Sequence, residues 1–201
     1  MNLGNKPAVG IMGGTFDPIH YGHLVSAECS AEQFDLKRVI FVPAGSPPHK
    51  EEERVTAAED RYMMTLLATV TNPSFVVSRV ELDREGPSYT IDTVRFFSSR
   101  YPEHDLFFIT GADAIAEIFT WRNPEELLSA CYFIAVTRPG YTINELSREI
   151  FSRYSESIFP LSIPGVAISS SHLRSRASRG LTLKYQVPPE VYSYILKQDL
   201  Y

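Results

Sequence analysis

Three stretches of this chain are unbroken apolar runs: Val39-Ile40-Phe41-Val42, Leu106-Phe107-Phe108-Ile109 and Cys131-Tyr132-Phe133-Ile134-Ala135-Val136. A further run, Ala8-Val9-Gly10-Ile11-Met12, broken only by a glycine, precedes them. A strand with one solvated face alternates apolar and polar residues, whereas a strand buried on both faces reads as a continuous run. Between the runs, apolar residues recur at helical spacing. Strand and helix therefore alternate along the chain, and the pattern predicts an α/β fold with a parallel sheet covered by helices on both faces.

In chain order, a helix is expected over Leu24 to Phe34 and a strand over Arg38 to Pro43. Thr56, with Glu59 three positions on, forms a capping-box pattern. It should open a helix running to about Thr69, with Tyr62, Met63, Leu66 and Leu67 inward. Phe75 to Val77 is a short strand, Arg79 to Gly86 charged and turn-like, and Ile91 to Arg100 a helix. After the run at Leu106 come a short helix at Ala114 to Phe119, a loop at Trp121 to Asn123 and a helix behind Pro124. Ile143 to Tyr154 is amphipathic, and Pro160 demotes the strand Ile158 to Leu161 to an edge. A polar helix opens near Ser169, and a last one spans Glu190 to Lys197. With no repeat, low-complexity tract or linker, residues 1–201 read as a single domain.

Ligands of such sheets bind beyond the C-terminal ends of the strands. Four segments follow strands or strand-like runs and so can converge there: the Gly13 turn, Pro47 to Lys50, Thr110 to Asp113, and Ser169 to Arg174. Gly13-Gly14 allows close backbone approach, and the helix start behind it offers N–H groups and positive partial charge to a phosphate. His20 and His23 lie where that phosphate would sit, as imidazole donors rather than zinc ligands, because the Glu of a zinc-protease motif and a third ligand are missing. Ser169-Ser170-Ser171 and Arg174 form a second anion-friendly helix start. Lys50 suits a further phosphate contact, and His49 is either a second contact or a solvated side chain. Asp113 suits a ribose hydroxyl or a helix N-terminus, and Trp121 is either a core anchor or a stacking surface.

Lys+Arg 19 against Asp+Glu 24 leaves a net charge of −5, which argues against broad attraction to nucleic acid. Cys29 and Cys131 read as buried free thiols rather than a disulfide. No apolar run approaches the ~20 residues of a membrane helix, and Met1 to Lys6 lacks the apolar core of a signal peptide, so a cytoplasmic protein is expected. Ile143 to Tyr154 and the Pro188 to Tyr201 tail leave assembly into a homo-oligomer open.

Gly13-Gly14-Thr15-Phe16-Asp17-Pro18 with His20-Tyr21-Gly22-His23, and Ile168-Ser169-Ser170-Ser171-His172-Leu173-Arg174, resemble the two signatures of the HxGH nucleotidyltransferase superfamily. Pro47-Pro48-His49-Lys50, the stretch Gly86 to Thr93, and Gly111-Ala112-Asp113 ahead of Trp121 make the chain most similar to bacterial nicotinate-nucleotide adenylyltransferases. The resemblance implies a Rossmann-like, doubly wound sheet and transfer of AMP from ATP to nicotinate mononucleotide, giving deamido-NAD and pyrophosphate. It implies that His20, His23 and Arg174 carry the chemistry. Gly13, Gly14, Thr15, Phe16, Lys50, Gly111, Asp113, Ser169 and Ser170 would bind ATP. Asp17, Ser88, Tyr89, Thr90, Trp121 and Arg122 would receive nicotinate mononucleotide. Mg²⁺ is implied with ATP, held by no dedicated protein cage. Ser171 departs slightly, standing where many members carry threonine. The nearest rivals are a dual-specificity enzyme that also takes nicotinamide mononucleotide, a pantetheine-phosphate adenylyltransferase and a cytidylyltransferase. A non-catalytic nucleotide sensor and a metal-dependent hydrolase are more distant.

Overall fold

The computed structural model describes residues 6–47, 55–137 and 145–201. Six strands form one sheet: β1 (Ala8–Gly14), β2 (Leu36–Pro43), β3 (Phe75–Val77), β4 (Asp105–Gly111), β5 (Tyr132–Thr137) and β6 (Ile158–Ser162). They lie in the order β3-β2-β1-β4-β5-β6, and every neighbouring pair is parallel. The expected doubly wound parallel sheet is present.

Continuous apolar runs are needed because each strand feeds two cores at period two. Met12, Val39, Phe41, Phe107, Ile109 and Ile134 point to one face. Val9, Ile11, Ile40, Val42, Phe108 and Phe133 point to the other. The first face is covered by α1 (Tyr21–Phe34), α2 (Ala58–Thr69) and α8 (Pro189–Gln198). The second carries α3 (Thr90–Arg100), α4 (Ala112–Ala116), α5 (Pro124–Ala130) and α6 (Glu145–Arg153). A short 3₁₀ turn, Ile118–Thr120, follows α4, and α7 (Ser170–Ala177) lies between β6 and α8. Among the described residues no helix is long and apolar enough to cross a membrane.

Several boundaries differ from expectation. β1 runs on through the glycine pair, which lies in register with Val42 and Pro43, so the turn begins only at Thr15. Helix α1 starts at Tyr21 rather than Leu24, placing the histidines at its entry instead of before it. The Thr56 capping box does not form: Ala57 is the N-cap of α2, and Glu59 pairs with Arg79 instead. The buried face of α2 is Arg61, Met64, Thr65, Ala68 and Thr69, while Met63 is 40% exposed. One residue of offset turns a helix by about 100°. The small Thr65 and Ala68 let α2 seat against the sheet on that face. Cys131 is buried, whereas Cys29 is only half-buried, and both are free thiols.

Candidate active site

The strand order reverses between β1 and β4, which makes the crevice beyond their C-terminal ends the place for a ligand. The chain leaves β1 under tight cover. A Cβ on Gly13 would lie 3.0 Å from the Phe108 ring, and one on Gly14 would lie 2.9 Å from the ring of Phe16. Phe16 is buried and holds a left-handed backbone (φ 50°). His20 then caps α1 and is 4% exposed. The backbone N–H of His20 donates to Nδ1 of His23 (3.3 Å). The two imidazoles stack with centroids 3.8 Å apart, and Phe16 meets His23 edge-on at 5.1 Å. Gly22 makes room for this stack, since a Cβ there would sit 2.9 Å from His20 ring atoms.

The second signature closes on the first. Ser169 caps α7 by accepting the His172 N–H (3.3 Å). Ser170 Oγ donates to the Pro18 carbonyl (2.9 Å), and Arg174 Nη1 donates to the Asp17 carbonyl (2.9 Å). A cavity of about 300 Å³ lies between the signatures, lined by Gly13, His20, His23, Gly111, Asp113, Ser169 and Ser170 among others. The Asp113 carboxylate folds back over Gly111, where any Cβ would overlap Oδ1. Gly14 ends β1 next to the cavity-lining Gly13, and Thr15 and Phe16 begin the turn that follows. Arg174 lines an adjoining hollow with Ser171 and Tyr201. Lys50, with His49, lies outside the described residues.

Ser88, Tyr89, Thr90, Trp121 and Arg122, which are far apart in sequence, line one cavity of about 570 Å³. Ala114 also lines it, so α4 flanks both cavities. Trp121 meets Phe108 and Phe133 edge-on at 6.2 and 6.5 Å, and so is at once anchored on the core and facing the hollow. The Arg122 guanidinium lies 4.6 Å from the Tyr89 ring centroid. Ser88 Oγ accepts the amides of Gly45 (3.0 Å) and Ser46 (3.2 Å). Asp17 lines neither cavity: its buried carboxylate accepts from the Tyr201 hydroxyl (2.6 Å) and the Thr56 amide (3.3 Å).

A model of the cytidylyltransferase-like family matches residues 11–176. A probable nicotinate-nucleotide adenylyltransferase of Thermoanaerobacter sp. (strain X514) is 53% identical over 197 residues, spanning 96% of this chain and 93% of that protein. The chain belongs to the nicotinate-nucleotide adenylyltransferase family. A second probable member, from Moorella thermoacetica, is also 53% identical and covers 100% of this chain and 95% of its own length. The same fold is found in the Plasmodium falciparum nicotinic acid mononucleotide adenylyltransferase complexed with NaAD, with a TM-score of 0.79 at 22% identity over 96% of this chain and 97% of that one.

Three side chains that bond to segments carrying candidate site residues escaped sequence reasoning. Arg61 is 1% exposed, and burial pulls its pKa down against the opposing pull of Asp17, Tyr201 and Glu81. Glu81 is buried too; desolvation raises its pKa, offset in part by bonds from Thr93 and Ser88. The Tyr201 hydroxyl is pushed well above its usual value by burial and then by Asp17. Sequence offered no signal for Arg61, because the expected inward face of its helix is Tyr62, Met63, Leu66 and Leu67, whereas the structure buries Arg61 with Met64, Thr65, Ala68 and Thr69.

Among the described residues no group of three or more His, Cys, Asp or Glu side chains is placed to hold a metal ion. The polar groups around the His20 cavity are mostly N–H and O–H donors, which suit phosphate oxygens better than a cation.

Proposed function

We propose that this chain transfers AMP from ATP to nicotinate mononucleotide, releasing pyrophosphate and deamido-NAD as a cytoplasmic step of NAD biosynthesis. What carries the reading is the approach of the two signatures, residues 13–24 and 168–174, to one cavity beside a second that holds the sole tryptophan.

The residues act by placement and charge. A phosphate oxygen of nicotinate mononucleotide forms a bond to the α-phosphorus of ATP as the bond to the bridging oxygen of pyrophosphate breaks, in line and without a covalent enzyme intermediate. Holding both substrates at one sheet edge makes the encounter effectively intramolecular. His20 and His23 donate N–H bonds to α-phosphate oxygens where charge grows. Arg174, Ser169, Ser170 and Lys50 receive the departing β- and γ-phosphates. Gly13, Gly14, Thr15 and Phe16 bring backbone close to the nucleotide, and Gly111 and Asp113 hold a ribose. Ser88, Tyr89, Thr90, Trp121 and Arg122 surround the nicotinate, its ring on Trp121 and its carboxylate on backbone amides; Asp17 supports that side through the turn. Mg²⁺ brought with ATP would supply charge neutralisation on the phosphates, and the donor groups around the cavity would leave it on the nucleotide.

The test is to supply ATP and Mg²⁺ with nicotinate or nicotinamide mononucleotide and follow pyrophosphate release. Rapid release with the nicotinate form supports the reading. Equal rates with both forms make the enzyme dual-specific, and release with neither removes the assignment.

A further inference from the structure

A buried arginine on a helix needs a reason, because removing a guanidinium from water is costly unless its donors are satisfied. Three of the five N–H donors of Arg61 on α2 go to main-chain carbonyls, one from each nitrogen. Nη1 donates to the Thr15 carbonyl (2.8 Å), Nε to the Thr56 carbonyl (2.8 Å) and Nη2 to the Gly45 carbonyl (3.2 Å). Three segments are thus gathered at one planar group: the turn after β1, the loop after β2 and the approach to α2. Asp17 is among the charges that act on it, though its carboxylate oxygens bond to Tyr201 and Thr56.

Gly45 passes the constraint on. Its carbonyl is held by Arg61, its N–H donates to Ser88 Oγ (3.0 Å), and a Cβ at this position would overlap the Glu81 carbonyl. Ser88 is fixed from both sides, since its own N–H donates to the Ser46 carbonyl (2.8 Å) and its hydroxyl also bonds the buried Glu81. Ser88, Tyr89 and Thr90 then form one wall of the 570 Å³ cavity. A path of hydrogen bonds through the Arg61 guanidinium, the Gly45 peptide and the Ser88 hydroxyl therefore joins Thr15, beside the histidine cavity, to the wall of the tryptophan cavity.

We propose that Arg61 is a positioning residue for the transfer, and that through Gly45 and Ser88 it sets the distance between the two half-sites. This inference rests on the adenylyltransferase reading above. In-line transfer is sensitive to such a distance, because an error of about 1 Å in a reacting pair can cost on the order of 10²-fold in rate. A guanidinium suits the task because its fork fixes three directions at once, whereas an ammonium offers a point charge on a flexible stem.

The experiment is steady-state kinetics with ATP, Mg²⁺ and nicotinate mononucleotide for wild type, Arg61→Lys, Arg61→Met, Ser88→Ala and the Arg61→Met/Ser88→Ala double variant, with Tm measured for each. Ser88→Ala is expected to raise KM for nicotinate mononucleotide about tenfold while KM for ATP stays within about twofold, and Arg61→Lys to lower kcat/KM about tenfold or more per folded molecule. Because both residues act through Gly45, the double variant should lose far less than the product of the single losses. Arg61→Lys that lowers Tm but leaves kcat and both KM values unchanged overturns the proposal, as does multiplicative loss in the double variant. If Arg61→Met does not fold, Arg61→Lys, which keeps the charge and the stem, decides alone: unchanged kcat and KM values per folded molecule overturn the proposal. Wild-type turnover is measured first: its absence removes the adenylyltransferase reading, whereas its presence with unaltered variants removes only the role of Arg61.

Discussion

His23 is oriented by the main chain of His20, whose N–H donates to Nδ1 of the second imidazole at 3.3 Å. A ring nitrogen that accepts cannot also carry the proton, so the neutral ring keeps its hydrogen on Nε2. The bond also satisfies a donor at the entry to α1. Capping and phosphate contact, which compete as explanations from sequence, are thus compatible in one side chain.

The two roles separate by substitution. Gln at this position is a capping-box residue, so His23→Gln should hold Tm close to wild type. It should still lose about 3 kcal/mol of barrier lowering, roughly 10²-fold in kcat. Circular dichroism melts and pyrophosphate release check both halves; near-normal turnover would show that His23 only caps the helix.

Gly22 supplies a second separation of stability from activity. Alanine is favoured over glycine inside a helix by up to about 1 kcal/mol, but its Cβ would press on the His20 ring. The ring, as a side chain, is what yields. Gly22→Ala should therefore keep or raise Tm and lower kcat at least about tenfold. A variant of full activity would mean that the stacked arrangement of His20 and His23 is dispensable.

Substrate choice should follow from the cavity at Trp121. Amide donors that receive a carboxylate are mismatched by the NH₂ of nicotinamide mononucleotide, so its kcat/KM should fall about 10²-fold or more. Trp121→Ala should raise KM for nicotinate mononucleotide more than KM for ATP, because the ring lines only the larger hollow. An equal rise in both would point to general collapse of the wall.

Glu81 predicts a pH dependence of stability. Its pKa is raised in the folded chain above the ordinary carboxylate value of 4.5, first by desolvation. Folding therefore favours the protonated form. The contribution is fully present below about pH 4.5 and fades as pH rises through the higher folded value. Glu81→Gln removes this loss, so the Tm difference between variant and wild type should grow from pH 4.5 upward and then level off. A difference that does not change with pH would contradict the burial argument.

Much of the fold was readable because each strand must be apolar on both sides, which leaves the runs at Val39, Leu106 and Cys131 few alternatives. Boundaries were less readable where tertiary contact overrules local pattern. Apolar spacing begins at Leu24, yet α1 opens at Tyr21 because His20 and His23 cap it; Thr56 has capping chemistry, yet its carbonyl serves Arg61. The signature residues at both ends of the chain could be picked out by type, and so could the Ser88 and Trp121 segments. The supports could not. Arg61, Glu81 and Tyr201 look like ordinary surface residues in sequence, and only three-dimensional packing shows that Gly45, Thr93 and Asp17 are their partners. For Lys50, sequence remains the sole guide.

An open parallel sheet has two rims, and unpaired rims are where chains polymerise. Here one rim is β3, only three residues long, and the other is β6, interrupted by Pro160. Neither offers a run of main-chain donors and acceptors long enough to template a foreign strand. A sheet with such rims can stay open at the C-terminal ends of its strands without inviting cross-chain strand addition.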